Sequence, residues 1–347
     1  MFKKALFLIL CSVLSCTLYA QSSSVAVESY FSKIYSAENN LVEGNHEQSL
    51  NQYNRAFESD REEKIIFLKD IHNALMLAYQ NGDTEYFEKF LHHLNDYDIN
   101  KTFFETVGYE DIRETNFYPI VRTFFENKPE RTDDSPVCSL FERLFVLDQS
   151  IRSACREKYL GSLYHYCSEE IKLLDSLILA QLSGYFRAYG IPQESEFCDV
   201  SKHFVPPYHL IIRHNLQWCR TEIIDYLKGE IGRIHPQILA DILKSMYNNS
   251  CDGSETSDPL GLSHQLRLGS DLYLIPLSEE KMDEINQNRK AINLDSFEDF
   301  HKKILFQEFN PEYYLVHGFF IPQFDADKGV LDGLRERFEE FRVVGPE

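Results

Sequence analysis

The sequence has few basic residues. Its 347 residues include 35 Lys+Arg against 55 Asp+Glu, which gives a formal net charge of -20. A protein that binds nucleic acid needs a basic surface to neutralise phosphates, and docking on an anionic membrane also needs basic residues. We therefore expect no nucleic-acid partner and no electrostatic attachment to a membrane.

The sequence also lacks the short motifs that define common reactions. It has no Gly-x-Ser-x-Gly element, no phosphate-binding loop, no His-Glu-x-x-His pair and no dinucleotide-binding glycine pattern. Cysteines and histidines crowd together between residues 155 and 219, which raises the hypothesis of a zinc site. No Cys-x-x-Cys pair occurs, however, and the spacings fit no closed zinc site. We expect neither a metal nor another cofactor.

Long apolar runs are missing beyond the N-terminus. The chain begins with Met1-Phe2-Lys3-Lys4, followed by an apolar run over residues 5–14 and then small and polar residues through Ala20. A run of about ten apolar residues is too short for a bilayer span, which takes roughly 20. The pattern is typical of a secretory signal over residues 1–20, so we expect an exported protein.

Two processing routes fit this signal. Cleavage after Ala20 would release a protein that begins at Gln21. Alternatively, Val13-Leu14-Ser15-Cys16 resembles a bacterial lipobox, in which the cysteine is acylated. A lipid on Cys16 would then be the only attachment to a membrane. The sequence leaves open a periplasmic protein, a lipid-anchored protein of the cell envelope and a secreted protein.

Removal of the signal leaves six cysteines. An exported protein with six cysteines fits up to three disulfides, although 15 complete pairings are possible, and free buried thiols are the alternative. These cysteines are Cys138, Cys155, Cys167, Cys198, Cys219 and Cys251.

The N-terminal part contains an internal repeat. At Gly44 and again at Gly82, a helical pattern ends beside Asn or Asp and a second amphipathic pattern begins. The spacing of these glycines is close to the period of about 34 residues in helix–turn–helix repeats. The segment 25–97 resembles the tetratricopeptide repeat, which implies paired helices that serve as scaffold or bind a protein partner. The matching positions are Gly44, Ser49, Tyr53 and Ala56.

A polar segment with two prolines, residues 127–136, interrupts the apolar periodicity and is typical of a linker. We predict a helical repeat region over residues 25–127, a linker over 128–137 and a C-terminal domain over 138–347. All six cysteines of the processed chain lie beyond the linker, which favours this boundary.

The C-terminal part is predicted to be mostly α. Apolar residues at helical spacing, together with caps and breakers, predict helices over 139–156, 168–189, 206–227, 236–247 and 330–341, and further helices after Ser278 and Ser296. Only 272–275 and 313–321 have the pattern of strands. The predicted fold class is mostly α, with N-terminal helical-hairpin repeats followed by an α-helical domain that has at most a small β element.

Residues from about 140 to 305 resemble a family of uncharacterised bacterial proteins with a helical domain, many of them exported. The resemblance rests on Asp148-Gln149-Ser150-Ile151-Arg152, Asp175, Gly190-Ile191-Pro192, Ile211-Ile212-Arg213-His214 and Ile285-Asn286-Gln287-Asn288-Arg289. In that family a glutamine followed by Tyr-Gly and Thr-Gln precedes the final arginine. Here Gln265 and Gly269 are kept while the Tyr and Thr-Gln are absent. The resemblance implies an architecture and no particular chemistry.

Five polar residues form the candidate catalytic cluster: Asp148, Arg152, His214, Gln265 and Arg289. Helical spacing places Asp148 and Arg152 on one face, where they can pair. His214 follows three apolar residues, which would hold it near the core, and a histidine beside an aspartate can act as a general base. The alternative is a structural ion pair and a core histidine.

Two functions follow from these observations. The first is an exported protein-interaction or scaffold protein of the cell envelope, whose repeats bind a partner. The second is an envelope hydrolase-like enzyme that uses the Asp/His/Arg cluster. Convergence of the cluster at an open cleft would favour the enzyme, and dispersal would favour the scaffold.

Overall fold

A computed structural model describes residues 25–58, 65–105, 108–129, 136–158, 167–198, 204–219, 221–249, 251, 258–268, 271–317, 323–324, 336–337 and 339–343. The predicted signal, with Cys16, lies outside the described residues, and so do residues 130–135 of the predicted linker. The chain forms two compact units, Met1–Ile66 and Phe67–Glu347. Among the described residues, no helix combines the length and the apolar character that a membrane span needs.

The first unit contains a pair of helices, α1 over residues 25–42 and α2 over His46–Glu58. Gly44 joins them with a φ of 78°, a left-handed conformation that only glycine adopts at little cost. The buried hydroxyl of Ser49 donates a hydrogen bond of 2.7 Å to the carbonyl of Ala37 and so ties α2 to α1. The predicted helix pair is confirmed, and its assignment to the tetratricopeptide repeat stays a prediction.

The second unit begins with another helix pair, α3 over Leu68–Gln80 and α4 over Thr84–Leu91. Gly82 turns the chain with a φ of 71°, and the carboxylate of Asp83 accepts from the N–H of Tyr86 at 3.0 Å, which caps α4. Helix α5 follows over Tyr118–Asn127. Aromatic rings from α3, from α4 and from the segment between α4 and α5 pack together at edge-to-face or tilted angles; they include Tyr79, Phe87, Phe104, Tyr109 and Phe117.

Five helices form the central part of this unit: α6 over Pro136–Lys158, α7 over Ser168–Tyr189, α8 over Tyr208–Leu216, α9 over Ile224–Gly229 and α10 over Pro236–Asn248. The sequence predicted a single helix over 206–227, and this prediction is wrong. The chain leaves α8 after Leu216 and turns at Cys219, whose φ of 52° is incompatible with a continuing α-helix.

Three disulfides connect these helices and the segments around them, as the cysteine count predicted. They join Cys138 to Cys198, Cys155 to Cys167, and Cys219 to Cys251. Each bridge closes a segment of the central helical part.

Two more helices and a small sheet complete the described chain. Helices α11 over Glu279–Lys290 and α12 over Phe297–Phe309 begin at the serine caps that the sequence predicted. Strand β1 over Gln265–Leu268 pairs antiparallel with β2 over Asp271–Leu274 and parallel with β3 over Gln323–Phe324, in the order β2-β1-β3. The fold is mostly α, as predicted.

Two sequence predictions near the C-terminus are not matched by the described residues. A strand over 313–321 is not formed by residues 313–317, and the rest of that segment lies outside the described residues. The predicted helix over 330–341 also falls largely outside them, and its end, Glu339–Phe341, is a short 3-10 turn.

Candidate functional site

Helices α6 and α8 bring an aspartate and a histidine together. Nδ1 of His214 lies 3.0 and 2.9 Å from the two carboxylate oxygens of Asp148. The Asp148 side chain is fully buried, whereas that of His214 is 27% exposed. Because a carboxylate only accepts hydrogen bonds, Nδ1 carries a proton, and in the neutral form of the ring the lone pair is therefore on Nε2.

Arg152 holds the aspartate of this pair. Its guanidinium lies 3.0 Å from Oδ1 of Asp148 and also donates to the Asp148 carbonyl at 2.9 Å. The other end of the guanidinium donates to both carboxylate oxygens of Asp175, each at 2.8 Å. The predicted pairing of Asp148 with Arg152 on one helix face is therefore confirmed. Arg152 links α6 to α7 through its second partner.

Asp175 has further partners at the end of α8. It accepts a hydrogen bond of 2.8 Å from the indole N–H of Trp218 and a longer one of 3.4 Å from Gln217. Both donors follow α8 directly, so Asp175 fixes the end of the helix that carries His214. Sequence reasoning did not select Asp175 as a site residue. The signal was present, because this acid stands on the apolar face of α7 between Ile171 and Ile178.

The local charge of this cluster is negative. Asp148 and Asp175 contribute two negative charges and Arg152 one positive charge, so the cluster carries a net charge of about -1 when His214 is neutral. His214 also stands in the last turn of α8, where the helix dipole favours a positive charge. A proton on Nε2 would neutralise the cluster.

His214 faces a cavity of about 370 Å³ that opens to solvent. This volume lies within the range of roughly 300–1,000 Å³ that is usual for small-molecule sites. Among the described residues, Nε2 of His214 has no hydrogen-bond partner. The lining residues are Leu210, Arg213 and His214 from α8, Ser245 and Asn248 from α10, and Asn249 directly after it.

A second histidine–aspartate pair lies behind the cavity wall. Nε2 of His209 is 2.6 Å from Oδ2 of Asp241, and both side chains are buried. Burial lowers the pKa of His209, although Asp241 opposes this effect. Arg213 connects the pair to the cavity, since its Nε lies 3.2 Å from Asp241 and 3.1 Å from the hydroxyl of Ser245. We assign His209 and Asp241 a structural role, because neither side chain is accessible.

The other two predicted site residues contact different groups. The Gln265 amide donates to the carbonyl of Leu262 at 2.5 Å. Arg289 is buried, donates to the carbonyl and the carboxylate of Asp295 at 2.7 and 2.8 Å, and lies 4.5 Å over the ring of Phe300. The structure thus brings Asp148, Arg152 and His214 together and places Gln265 and Arg289 in other contacts.

A further group of buried ionisable residues surrounds a cavity of only about 10 Å³, room for about one water molecule. Glu194 lines it and accepts the N–H of Leu68, the first residue of α3, at 2.8 Å. Burial, reinforced by the nearby charge of Asp70, raises the pKa of Glu194 to about 8. Lys69 and His317 also line this cavity. Its size excludes a substrate.

The described residues contain no group of three or more His, Cys, Asp or Glu side chains arranged to hold a metal ion. Comparison with known proteins adds no relative: no family model, no curated protein and no solved structure matches the chain. Within the residues that it describes, the structure shows a mostly helical protein with helix pairs, three disulfides and a solvent-facing histidine–aspartate pair.

Proposed function

We propose that the protein is an exported hydrolase in which His214 acts as the general base. One observation supports this proposal most directly. A buried carboxylate, Asp148, holds Nδ1 of His214, while Nε2 lies at an open cavity without a partner among the described residues. Asp–His pairs in this arrangement activate water or a hydroxyl group in many enzymes.

The proposed reaction begins with a water molecule in the cavity, next to a bound substrate. Nε2 of His214 takes a proton from the water as the oxygen attacks an acyl or phosphoryl centre. The imidazolium that forms is stabilised by Asp148, which Arg152 keeps in place. His214 then gives the proton to the leaving group, and the ring returns to its neutral form. Proton transfer of this kind accelerates a reaction by roughly 10²–10⁴-fold.

The proposed compartment is outside the cytoplasm. Three disulfides support an oxidising environment, because cytoplasmic proteins rarely keep such bridges. The N-terminal pattern of residues 1–20 supports export. The proposed location is the periplasm, the cell envelope through a lipid on Cys16, or the exterior.

The test of the enzyme proposal is a hydrolysis screen of the purified protein against chromogenic esters, amides and phosphoesters. His214→Gln should lose roughly 10²–10⁴-fold of any activity found. His92→Gln is the matched control, because His92 is exposed and lines a different cavity. Activity that His214→Gln leaves unchanged would assign the reaction to another site or to a contaminant.

A second candidate is binding of a protein partner, as the helix pairs favour. A groove of about 570 Å³ between α4 and α5 supports this candidate. Its apolar lining includes Leu91, Pro119, Ile120 and Phe124. Co-purification from envelope extracts tests it, with Ile120→Glu as the disrupting variant and Arg122→Glu, outside the groove, as the control. Partners that Ile120→Glu still retains would exclude the groove.

A further inference from the structure

The cavity beside His214 is built from two helix ends that a disulfide joins. All six lining residues belong to α8, to α10 or to the residue directly after α10. Helix α8 ends at Leu216 and α10 at Asn248, and the bridge between Cys219 and Cys251 begins three residues beyond each end. This disulfide therefore links the two walls covalently at one end of the cavity, beyond the His209–Asp241 and Arg213–Ser245 contacts that also join α8 to α10.

The same disulfide is the most accessible of the three. Cys219 is exposed and Cys251 is half-buried. In contrast, each of the other two bridges joins a buried cysteine, Cys138 or Cys155, to a half-buried one, Cys198 or Cys167. Because accessible bridges exchange readily, we expect a reductant in solution to attack the Cys219–Cys251 bridge first.

Cys219 also has a strained backbone. Its φ of 52° lies in the left-handed region, which is sterically unfavourable for any residue but glycine. The N–H of Cys219 donates to the carbonyl of Leu216 at 3.0 Å, so this conformation ends α8. The bridge helps to hold the turn in place, and its loss would allow the strain to relax.

The turn contains the two residues that contact Asp175. Trp218, directly before Cys219, donates its indole N–H to Asp175 at 2.8 Å, and Gln217 contacts the same carboxylate. Asp175 holds Arg152, and Arg152 holds Asp148, the partner of His214. A continuous series of charge-assisted hydrogen bonds thus runs from the turn beside the disulfide to the candidate base.

We propose that the Cys219–Cys251 disulfide controls the Asp148–His214 site by its redox state. The bridged form holds the end of α8 and both cavity walls in the arrangement described above. The reduced form releases the turn, and Trp218 and Gln217 leave Asp175. This inference rests on the proposed function for its biological meaning, whereas the coupling itself is measurable without a substrate.

The chemical step is thiol–disulfide exchange with a dithiol reductant. A thiolate of the reductant attacks Sγ of Cys219, the more exposed residue of the bridge, and a mixed disulfide forms as the sulfur of Cys251 leaves as a thiolate. The second thiol of the reductant then displaces Cys219. The protein gains two electrons and, after protonation, two thiols, while the reductant becomes a cyclic disulfide.

The chain contains its own probe for this test, because Trp218 is its only tryptophan. The protein would be treated with increasing dithiothreitol, and free thiols would be alkylated and located by mass spectrometry. Cys219 and Cys251 should be alkylated first. At the same concentration the Trp218 emission should shift to longer wavelength, and its quenching by acrylamide should increase several-fold. The chemical shifts of the imidazole ¹⁵N signals of His214 should change at the same dithiothreitol concentration.

Variants make the test independent of the reductant. Cys219→Ser/Cys251→Ser should reproduce the emission of the reduced form and stay insensitive to mild reduction. Cys138→Ser/Cys198→Ser is the matched control and should keep the emission of the oxidised protein. If a variant does not fold, selective reduction of the unaltered chain still decides the question.

Two results would overturn the proposal: prior reduction of either of the other two bridges, or selective reduction that leaves Trp218 and His214 signals unchanged. Failure of the enzyme proposal has a different signature. In that case the Trp218 and His214 signals still respond to reduction, and His214→Gln does not alter hydrolysis.

Discussion

Nδ1 of His214 is within 3.0 Å of both carboxylate oxygens of Asp148, a residue 66 positions earlier in the chain. The contact fixes the tautomer of the imidazole, because the carboxylate can only accept. The two side chains differ in exposure, since the carboxylate is buried and the ring of His214 is 27% exposed at the cavity.

Asp148→Asn should increase the fraction of His214 that carries its proton on Nε2 instead of Nδ1. In the wild type both carboxylate oxygens lie within 3.0 Å of Nδ1 and can accept its proton, and Arg152 contacts one of them. An amide offers a single oxygen, which Arg152 also needs, and an NH₂ group that can only donate to Nδ1. Long-range ¹H–¹⁵N NMR measures the tautomer directly. Gln149→Ala, which removes only a neutral donor to Asp148, should leave it unchanged. A retained Nδ1–H in Asp148→Asn would contradict the assignment.

Arg152→Met should destabilise the protein by about 3–5 kcal/mol, because two buried carboxylates would lose their common partner. The midpoint and slope of urea unfolding give the free energy change. Arg122→Met is the matched control: Arg122 pairs with Glu126 at 3.5 Å, but both side chains are more than half exposed. Such a surface pair contributes less than about 1 kcal/mol. Similar losses in the two variants would argue that the Arg152 pairs are not buried in solution.

Asp295→Asn should remove a stabilising charge between Arg289 and Lys303, both of them buried. Asp295 lies 2.8 Å from each. Burial alone would raise the pKa of Asp295, but the two cations and their hydrogen bonds outweigh it and lower the pKa below 3.8. Because the pKa of Asp295 is lower in the folded state than in the unfolded state, the charged carboxylate stabilises the folded protein at pH values above the unfolded-state pKa. This contribution is lost as the pH falls through the folded-state pKa.

The free energies of unfolding of the wild type and of Asp295→Asn should therefore differ by about 3–5 kcal/mol at pH 7, and this difference should decrease towards pH 2. Denaturant titrations at several pH values measure this difference. The ¹⁵N signals of His214 should not change, because Asp295 has no contact with the Asp148–His214 pair. A constant difference from pH 7 to pH 2 would show that charge is not the cause.

Glu194→Gln should stabilise the protein at high pH. Burial raises the pKa of Glu194 from 4.5 to about 8, so the folded state resists ionisation while the unfolded state does not. Because the pKa of this acid is higher in the folded state than in the unfolded state, the free energy of unfolding decreases as the pH increases from 4.5 through 8. Glutamine still offers an oxygen to the N–H of Leu68.

The stability gained by Glu194→Gln should grow by roughly 3–5 kcal/mol between pH 4 and pH 8. Thermal unfolding across this range measures it. Glu196→Gln serves as control, since Glu196 is an exposed neighbour whose carboxylate accepts the N–H of Gln193 at 2.7 Å. A pH-independent difference would contradict the raised pKa.

Local signals in the sequence predicted several helices well, because their ends are set by short-range chemistry. Gly190 stops α7 with a φ of 82°, and Ser278 and Ser296 cap α11 and α12 through their hydroxyls. The break after α8 was missed, because apolar spacing continues through residues 206–227. The turn at Cys219 depends on a disulfide partner 32 positions away, which periodicity does not encode.

The candidate site was predictable to the extent that it is local. Asp148 and Arg152 stand one turn apart, so their pairing follows from helix geometry. The contact of His214 with Asp148 depends on how α8 packs against α6. The only sign of this contact in the sequence was the group of apolar residues before His214, which indicated a position near the core. Gln265 and Arg289 were grouped with these residues by type and family resemblance. Their partners, Leu262 and Asp295, are near in sequence and bind them elsewhere.

The bridge between Cys155 and Cys167 has a consequence for the order of assembly. It closes a segment of 12 residues, against 32 and 60 for the other two, so its ring forms with the smallest loss of chain entropy. Cys155 stands one turn after Arg152, and Cys167 directly precedes the helix of Asp175. We expect this early hairpin to bring Arg152 and Asp175 together during oxidative folding, so that His214 docks last onto a charge network that is already in place.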